Sequence, residues 1–432
     1  MTIHTKWMEV MRREAASAFQ DTIPGGDTCR SQASFIDGQI KLMKADIIQT
    51  WAQFIYSQFT CVINRHFNEY GCRTVILSFD DKRFVPQAKA ITQLKRRAGV
   101  EIIEFGENDV LPNEIPGWKE AIMNPHFKNK VIQLVCDSVP HLVRGFEGCR
   151  LIVDWQIIET YEYDAEGLIV ESSFTQEPAS TIGESDIKFP YWMNRLQTPM
   201  LIEATDGDYI PISLGLKVTG IDHPVAILKG KLKKIGLNNN NEEEDSSSIN
   251  KKYEFIDIDT LYSCLKTAFH NASRGKDGGH CWEIKLFITL LGLCGTDFTR
   301  NLPLISPVKI WDCLPLVTRT FAMEATATAT TSNTIMSIDQ AQGKRIVELL
   351  YSEVYPKHIN PYSRSSIWHQ AQVSKLCDRN KALIPTDARI RCTMRNINFL
   401  MEYWIAFRAP ERIQDYGFRV TEQSVVVWDD SI

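Results

Sequence analysis

The sequence predicts an α/β protein built on a central, mostly parallel sheet. Twice within the first 100 residues, an apolar run of strand length ends at an acidic residue and precedes a helical pattern. Parallel strands need such crossovers, because a tight turn cannot connect them. A further apolar run over residues 199–204 leads into Asp206 and Asp208. Ligands bind at the carboxyl edge of open α/β sheets, so we expect this acidic pair to lie at a site there.

The first 80 residues supply two strand–acid–helix units behind an N-terminal helix. Apolar side chains spaced among charges predict helices, and short continuous apolar runs predict strands. The predicted elements are a helix over 5–20, a strand over 33–36, a helix over 40–67 and a strand over 74–79. The two strands lead into Asp37 and Asp80, which therefore occupy equivalent positions.

A strongly basic segment follows the second acid. Lys82, Lys89 and Arg96 recur at seven-residue spacing, with Lys95 and Arg97 beside them. On a helix this spacing aligns the cations in one stripe. A solvated helix face is the simpler interpretation, but the position directly after an acid makes the segment a candidate for phosphate contacts.

The middle of the chain adds further acids. Two apolar runs, over residues 100–105 and 150–154, are predicted strands, and Asp154 ends the second. Its position is equivalent to that of the other strand-ending acids, so position alone does not exclude it from a site. Glu184 and Asp186 would open a helix, where carboxylates also favour the helix dipole.

The composition changes twice in the second half. An Asn-, Glu- and Ser-rich tract cannot bury enough apolar surface to order itself, so residues 235–252 are predicted to be a disordered insertion. An apolar helix follows from Trp282 and ends near Gly295, which places Asp297 in a turn. Beyond it, the tract 325–332 is predicted to be a linker. The predicted elements after that tract are helices over 338–351 and 392–407 and a pair of strands over 416–421 and 424–428.

Composition limits the class of protein. The 432 residues are 44% hydrophobic and 23% charged, as in a globular protein with a sizeable core. A net charge of -5 gives no overall attraction to nucleic acid, so binding would need local basic patches. The eleven Cys lack paired C-x-x-C spacing, which argues against zinc and disulfide scaffolds. We find no signal peptide and no long apolar span, so we expect a soluble, intracellular protein, with nucleus and cytoplasm both open.

Five short motifs occur in an order that resembles the 5′-nuclease superfamily, which includes flap endonucleases and Xrn-type 5′→3′ exonucleases. They are Ile36-Asp37, Phe79-Asp80 before the basic segment, Gly183-Glu184-x-Asp186, Thr205-Asp206-x-Asp208 and Gly295-x-Asp297-Phe298. The third is similar to the Xrn-type Gly-Glu-x-Glu-x-Lys. The last is similar to the Xrn-type Gly-Asn-Asp-Phe. The resemblance covers residues 30–310 or thereabouts.

The resemblance implies a PIN-like three-layer α/β/α sandwich. With the predicted linker tract as the boundary, the nuclease domain would span residues 1–324 and residues 325–432 would form a mainly helical C-terminal accessory region. The resemblance further implies two divalent cations, Mg²⁺ or Mn²⁺, that together hydrolyse phosphodiester bonds. The implied metal ligands are Asp37, Asp80, Glu184, Asp186, Asp206, Asp208 and Asp297.

From two-metal chemistry we assign roles within this set. Four acids, Asp80, Glu184, Asp186 and Asp206, would form the inner shell, and the other three the outer shell or the second ion. Lys89, Lys95 and Arg96 would act on the scissile phosphate. Together with Lys82 and Arg97, these cations would bind a single-stranded or flapped 5′ end of RNA or DNA.

Two departures from the family pattern stand out. Flap endonucleases carry a Gly-Ile-Gly turn after the last acid, whereas this chain has Leu304-Ile305-Ser306 there, so a grip on duplex DNA of that kind is not implied. Asp81 stands where the family usually has Gly. Other interpretations remain open: a catalytically silent member that binds nucleic acid or has a structural role, a phosphatase that uses Asp206 and Asp208, or a plain turn at that pair.

Overall fold

The structure is a computed structural model of the chain. It describes residues 3–24, 33–43, 50–81, 83, 87–89, 101–113, 117–175, 183–204, 206–229, 254–275, 281–328, 338–376, 384–408, 410, 412–421 and 426–429. The predicted insertion over 235–252 and the basic residues Lys82, Lys95, Arg96 and Arg97 lie outside these ranges.

A nine-stranded sheet lies at the centre of the described structure. In spatial order its strands are β1 (Phe19–Gln20), β9 (Glu254–Asp257), β8 (Val225–Lys229), β7 (Met200–Glu203), β2 (Ala33–Asp37), β3 (Thr74–Ser78), β4 (Cys149–Asp154), β5 (Ile158–Tyr163) and β6 (Ile169–Thr175). The five middle strands are paired in parallel, and antiparallel pairs extend both edges. Among the nine described strands of this sheet, only β5 and β9 run against the rest, which confirms the predicted mostly parallel α/β sheet.

Helices cover both faces of the sheet, because successive strand residues point to opposite sides. Phe35 belongs to one hydrophobic core and Ile36 to the other. The Ile36 side is covered by α2 (Gly38–Met43), α3 (Trp51–Ile55), α4 (Cys61–Asn68), α5 (Trp118–Met123) and α6 (Pro125–Leu142). A π-helical turn over Tyr56–Thr60 joins α3 to α4.

The Phe35 side carries the larger core. It is formed by α1 (Ile3–Glu14), α7 (Ser185–Leu196), α8 (Tyr209–Val218), α9 (Ile258–Ser273), α10 (Trp282–Cys294), α11 (Pro307–Asp312), α12 (Leu314–Thr328), α13 (Gln340–Val354), α14 (Ile367–Val373) and α15 (Asp387–Ile405). The helix α10 lies inside this core, with all its side chains buried except that of Lys285. Helices of the C-terminal region thus share one core with helices that flank the sheet.

Close contacts fix α15 against its neighbours. A Cβ added at Gly215 in α8 would overlap the Trp404 carbonyl oxygen, and one at Gly292 in α10 would press on Ile397 at 2.5 Å. Glycine therefore lets the backbones of α8 and α10 approach α15. A hairpin of β10 (Phe418–Val420) and β11 (Val426–Trp428) follows α15 and confirms the predicted strand pair.

Four local predictions are wrong, each for a physical reason. The helix predicted over 40–67 is interrupted, because Thr50 is extended and its side chain caps a new helix that begins at Trp51. Residues 101–106 form no strand, because the Asn124 amide donates to the Ile103 and Phe105 carbonyls at 3.0 and 3.1 Å and holds them in an irregular segment. The first helix ends at Glu14, since the chain then turns to place β1 beside β9. The first part of the predicted linker is helical, because α12 runs to Thr328.

None of the described helices combines the length and the apolar character needed to cross a membrane.

Candidate functional site

Five loops carry the seven predicted acids. Asp37 ends β2, and Asp80 comes two residues after β3. Glu184 and Asp186 lie at the start of α7, where Glu184 is the N-cap residue. Asp206 and Asp208 lie between β7 and α8, and Asp297 follows α10. Because β2, β3 and β7 are adjacent and parallel, the loops after them meet at one edge of the sheet.

The seven acids lie within electrostatic range of one another, because the charges of the other acids act on Asp37, Asp186 and Asp208. Burial, and then the charges of Asp80 and Asp206, raises the pKa of Asp37 from its ordinary 3.8 to about 7. Burial and the charges of Glu184, Asp208 and Asp80 raise the pKa of Asp186 far above the usual range, despite the opposing charge of Lys89.

Asp208 extends this network to the last acid. Burial raises its pKa, and so do the charges of Asp206, Asp297 and Glu184. The predicted acids thus form one group, which we call the acidic cluster. Its carboxylates repel one another, so the cluster carries excess negative charge that favours cations or protons.

Asp37 is fixed by bonds to the backbone of the next helix. One carboxylate oxygen accepts from the backbone N–H of Gln39 at 2.9 Å and of Ile40 at 3.3 Å. These bonds cap the first turn of α2, where a carboxylate also favours the helix dipole. The second oxygen accepts from the Tyr209 hydroxyl at 3.1 Å. Gly38 lies so close to the Phe79 ring that a larger residue would displace it.

Asp80 fastens the end of β3 to the start of α7. Its carboxylate accepts from the backbone N–H of Ser185 at 3.0 Å. Next to it, the Asp81 N–H donates to the Gly183 carbonyl at 2.6 Å. The Asp81 carboxylate, where the resembled family usually has Gly, binds the Arg83 guanidinium at 2.5 Å. These contacts keep Asp80 and Glu184 side by side although about a hundred residues separate them in sequence.

Glu184 has two side-chain partners. The Lys89 ammonium lies 2.5 Å from Oε1, and the Tyr403 hydroxyl donates to Oε2. Lys89 ends a short 3-10 turn over Gln87–Lys89 and is largely buried. The charges of Glu184, Asp186 and Asp80 keep the pKa of Lys89 well above its usual value in spite of burial. Lys89 is therefore a permanent cation inside the acidic cluster.

Tyr403 is a site residue that the sequence analysis missed. It lies on α15, 219 positions from Glu184. No local pattern marks it, since a Tyr in an apolar helix predicts core packing.

Glu203, which ends β7, was missed as well. Lys41, Arg65 and His66 bind it, and although burial opposes them, they lower its pKa. Glu203 is therefore neutralised and adds no excess charge to the edge.

Asp154, which its position at a strand end could not exclude from the site, is paired with other residues instead of with the acidic cluster. It is fully buried, and its carboxylate accepts from the Lys188 ammonium at 2.8 Å and from the Trp192 indole at 2.7 Å. Asp154 is thus a structural acid.

The indole of Trp192 and the ring of Tyr209 are also buried, so neither can stack on a nucleic-acid base.

Asp297 lies in a turn that is closed by side-chain hydroxyls. Gly295 adopts a φ of +98°, a conformation that other residues rarely take. The Thr299 hydroxyl donates to the Gly292 carbonyl at 2.8 Å, and the backbone N–H of Leu302 bonds to the Leu293 carbonyl at 3.0 Å. The turn thereby holds Asp297 against the end of α10, within electrostatic range of Asp208.

The donor set agrees with a hard divalent cation in its chemistry. Carboxylate oxygens are the ligands that Mg²⁺ prefers. Asp186 Oδ1 is buried without a hydrogen-bond partner, which is costly for an acceptor unless a cation or a proton meets it. In the part of the chain that the structure describes, however, no three Asp, Glu, His or Cys side chains are arranged to hold a metal ion.

Comparisons with known proteins give a structural likeness only. No protein-family model matches the chain, and no curated protein matches its sequence. A solved structure of "the catalytic core of Rad2 in complex with DNA substrate" is similar at a TM-score of 0.37 and 12% identity, over 89% of this chain and 98% of the other. A second structure of that core gives 0.38, also at 12% identity, over 87% and 98%. A likeness this slight does not bear on chemistry.

Proposed function

We propose that the chain is a divalent-metal-dependent nuclease that hydrolyses phosphodiester bonds at or near a 5′ end of nucleic acid. The observation that supports this function is the acidic cluster, in which seven carboxylates from five loops surround Lys89. Burial and the charges of neighbouring acids raise the pKa values of Asp37, Glu184, Asp186 and Asp208. Such an excess of buried negative charge destabilises a fold unless cations compensate it.

Neighbouring groups hold three of these acids in fixed orientations. The side chains of Asp37 and Asp80 are oriented by backbone N–H groups, and that of Glu184 by Lys89 and Tyr403. Ligands that are held in place beforehand lose little freedom on binding. Divalent cations bound there would supply positive charge for the attacking water and for the leaving oxygen.

Lys89 is suited to contact the phosphate. Its ammonium is paired with Glu184, and the chain continues from Lys89 into the basic stretch predicted to bind the nucleic-acid backbone. An ammonium with three donors can bond to a non-bridging phosphate oxygen while it remains close to Glu184. In the reaction it would stabilise charge that develops on the phosphate.

The test is cleavage of 5′-labelled substrates. A single-stranded RNA, a single-stranded DNA and a flapped duplex are incubated with the full chain in Mg²⁺, in Mn²⁺ and in EDTA. We expect cleavage only with metal, and a loss of at least about a hundredfold in the Asp206→Ala variant, since removing one charge-stabilising group typically costs that much. Asp206 is exposed, so this substitution leaves the core intact.

A matched control removes an acid outside the cluster. Asp222 is 94% exposed and lies beyond the far end of α8, so Asp222→Ala should cleave as the wild type does. The proposal fails if the wild type cleaves none of the three substrates with either metal. It also fails if Asp206→Ala retains full activity.

A second candidate is a catalytically silent protein that binds nucleic acid or has a structural role. It is favoured by the engagement of Glu184 with Lys89 and Tyr403 and by the lack of a three-ligand metal arrangement among the described residues. This candidate predicts that a fluorescent single strand binds equally well in EDTA and in Mg²⁺ and remains intact after prolonged incubation.

A further inference from the structure

One helix of the C-terminal region reaches the acidic cluster directly. Tyr403, near the end of α15, is buried and places its hydroxyl against Glu184. Burial, followed by the charges of Glu184, Asp186 and Asp80, raises the pKa of Tyr403. The hydroxyl therefore stays protonated and acts as a donor toward the cluster.

Aromatic packing holds the Tyr403 ring in place. The Phe399 ring stacks on it with centroids 5.8 Å apart, and the Phe298 ring meets it edge-on at 5.2 Å. Phe298 directly follows Asp297, and the rings of Phe298 and Phe399 are themselves 5.1 Å apart. The two rings that pack against Tyr403 are therefore in contact with each other, and one of them belongs to the turn that carries Asp297.

The C-terminal hairpin reaches the same surroundings from another side. The indole N–H of Trp428 in β11 donates to the Phe298 carbonyl at 3.5 Å, and the Arg300 guanidinium lies 5.1 Å from its ring centroid. The strand β11 also lies against the 3-10 turn that ends at Lys89. The C-terminal region therefore supplies one partner of Glu184 and contacts both the turn that carries the other partner and the Asp297 turn.

We propose that Tyr403 is a positioning residue of the acidic cluster, so that the C-terminal region is a structural part of the metal site. This inference rests on the proposed function and deepens it. The hydroxyl occupies one oxygen of Glu184 and Lys89 the other, which fixes the rotation of the carboxylate. Without the hydroxyl, Glu184 can turn and lose its orientation as one of the acids that would hold a cation.

The test measures metal binding apart from catalysis. Tyr403→Phe removes the hydroxyl and keeps the ring between Phe298 and Phe399. We expect isothermal titration of Mg²⁺ into the full chain to give a dissociation constant raised about tenfold, as for other residues that orient a metal ligand. Cleavage by the variant should be weak at low Mg²⁺ and should recover as Mg²⁺ is raised, which damage to the fold would not allow.

Tyr163→Phe is the matched control. Tyr163 is equally buried, and its hydroxyl donates to the Pro140 carbonyl at 3.0 Å, in the core on the other side of the sheet. Its Mg²⁺ affinity should equal that of the wild type. In a Glu184→Gln background, Tyr403→Phe should add no further loss, because the hydroxyl acts through that carboxylate.

The outcomes separate the two proposals. A wild type that neither binds Mg²⁺ nor cleaves overturns the proposed function, and the role of Tyr403 with it. A wild type that binds Mg²⁺ while Tyr403→Phe binds it equally well overturns the role of Tyr403 alone. Should Tyr403→Phe fail to fold, Phe399→Leu is the second variant. It keeps the hydroxyl but removes the ring that stacks on Tyr403 and holds it in position. An unchanged Mg²⁺ affinity in that variant also overturns the inference.

Discussion

Aspartates that end two parallel strands of the same sheet have opposite roles. Asp37 ends β2 and Asp154 ends β4, and both are buried. Burial raises the pKa of both carboxyls, but the Lys188 ammonium opposes the shift at Asp154, whereas the charges of Asp80 and Asp206 add to it at Asp37. The role of each acid is decided by its neighbours. The sequence contains no local signal for that difference, because Lys188 lies 34 positions away.

Asp154→Ala should lower stability without removing the site. It leaves the Lys188 ammonium buried and uncompensated, which typically costs about 3–5 kcal/mol. Denaturant unfolding of the variant in EDTA measures this loss. Adding Lys188→Met should restore part of it, since a buried ion pair can be replaced by apolar side chains. A variant that is as stable as the wild type yet inactive would place Asp154 in the active site instead.

Asp37→Asn should stabilise the metal-free protein in a pH-dependent manner. A carboxyl with a pKa of about 7 in the folded state and 3.8 otherwise binds its proton more tightly when folded. Stability is therefore lost as pH rises from about 4 to 7, and the Asn side chain avoids this loss. In EDTA, the advantage of the variant should grow by about 2–3 kcal/mol between pH 5 and pH 8.

The control for this prediction is Asp222→Asn, which replaces an exposed carboxylate outside the acidic cluster. Unfolding by urea at each pH supplies the comparison. An advantage of Asp37→Asn that stays constant over the same interval would mean that the Asp37 carboxylate is already compensated.

At the scale of elements, the order of strand, acid and helix could be predicted, because it depends on local periodicity. β2, β3, β4 and β7 lie where the apolar runs predicted them. The strand predicted from the apolar run that begins at Val100 is absent, because the side chain of Asn124 bonds to carbonyls of that run. Periodicity shows which residues are apolar, but it does not show which group forms hydrogen bonds with the backbone.

The contact between α8 and α15 gives a prediction at this scale. Ala normally stabilises a helix relative to Gly by about 1 kcal/mol. In Gly215→Ala, however, the added methyl would meet the backbone of Trp404, which cannot turn aside as a side chain can. We expect a net loss of about 1–3 kcal/mol, measured by denaturant unfolding. Gly106→Ala, whose methyl would make only ordinary contacts from 3.6 Å outward, should be close to neutral.

The basic segment after β3 gives a second prediction at this scale. Each phosphate contact releases counterions, so lost contacts flatten the dependence of binding on salt. Lys95→Ala combined with Arg96→Ala should weaken cleavage and reduce the slope of log affinity against log salt by about 1–2. Fluorescence anisotropy with a labelled single strand at several salt concentrations measures it. An unchanged slope would refute phosphate contact by these two side chains.

At the scale of the whole molecule, distant parts of the chain complete one site. The acidic positions could be predicted because most of them end strands or begin helices at one edge of the sheet. Tyr403 could not, because its role depends on how α15 packs against α8 and α10. The division of the chain at residue 325 stays a prediction. The contacts of Tyr403 with Glu184 and of Trp428 with Phe298 mean that separating the two parts would expose the site.

The most direct test of the acidic cluster is to count Mn²⁺ ions by electron paramagnetic resonance at pH 8. Bound Mn²⁺ loses the sharp spectrum of the free ion, so a titration gives both stoichiometry and affinity. The acidic cluster predicts two bound ions per wild-type chain, and loss of both in the variant that combines Asp186→Asn with Asp208→Asn. Mn²⁺ that stays free with the wild type, or binds equally to the double variant, would contradict a metal site built from these carboxylates.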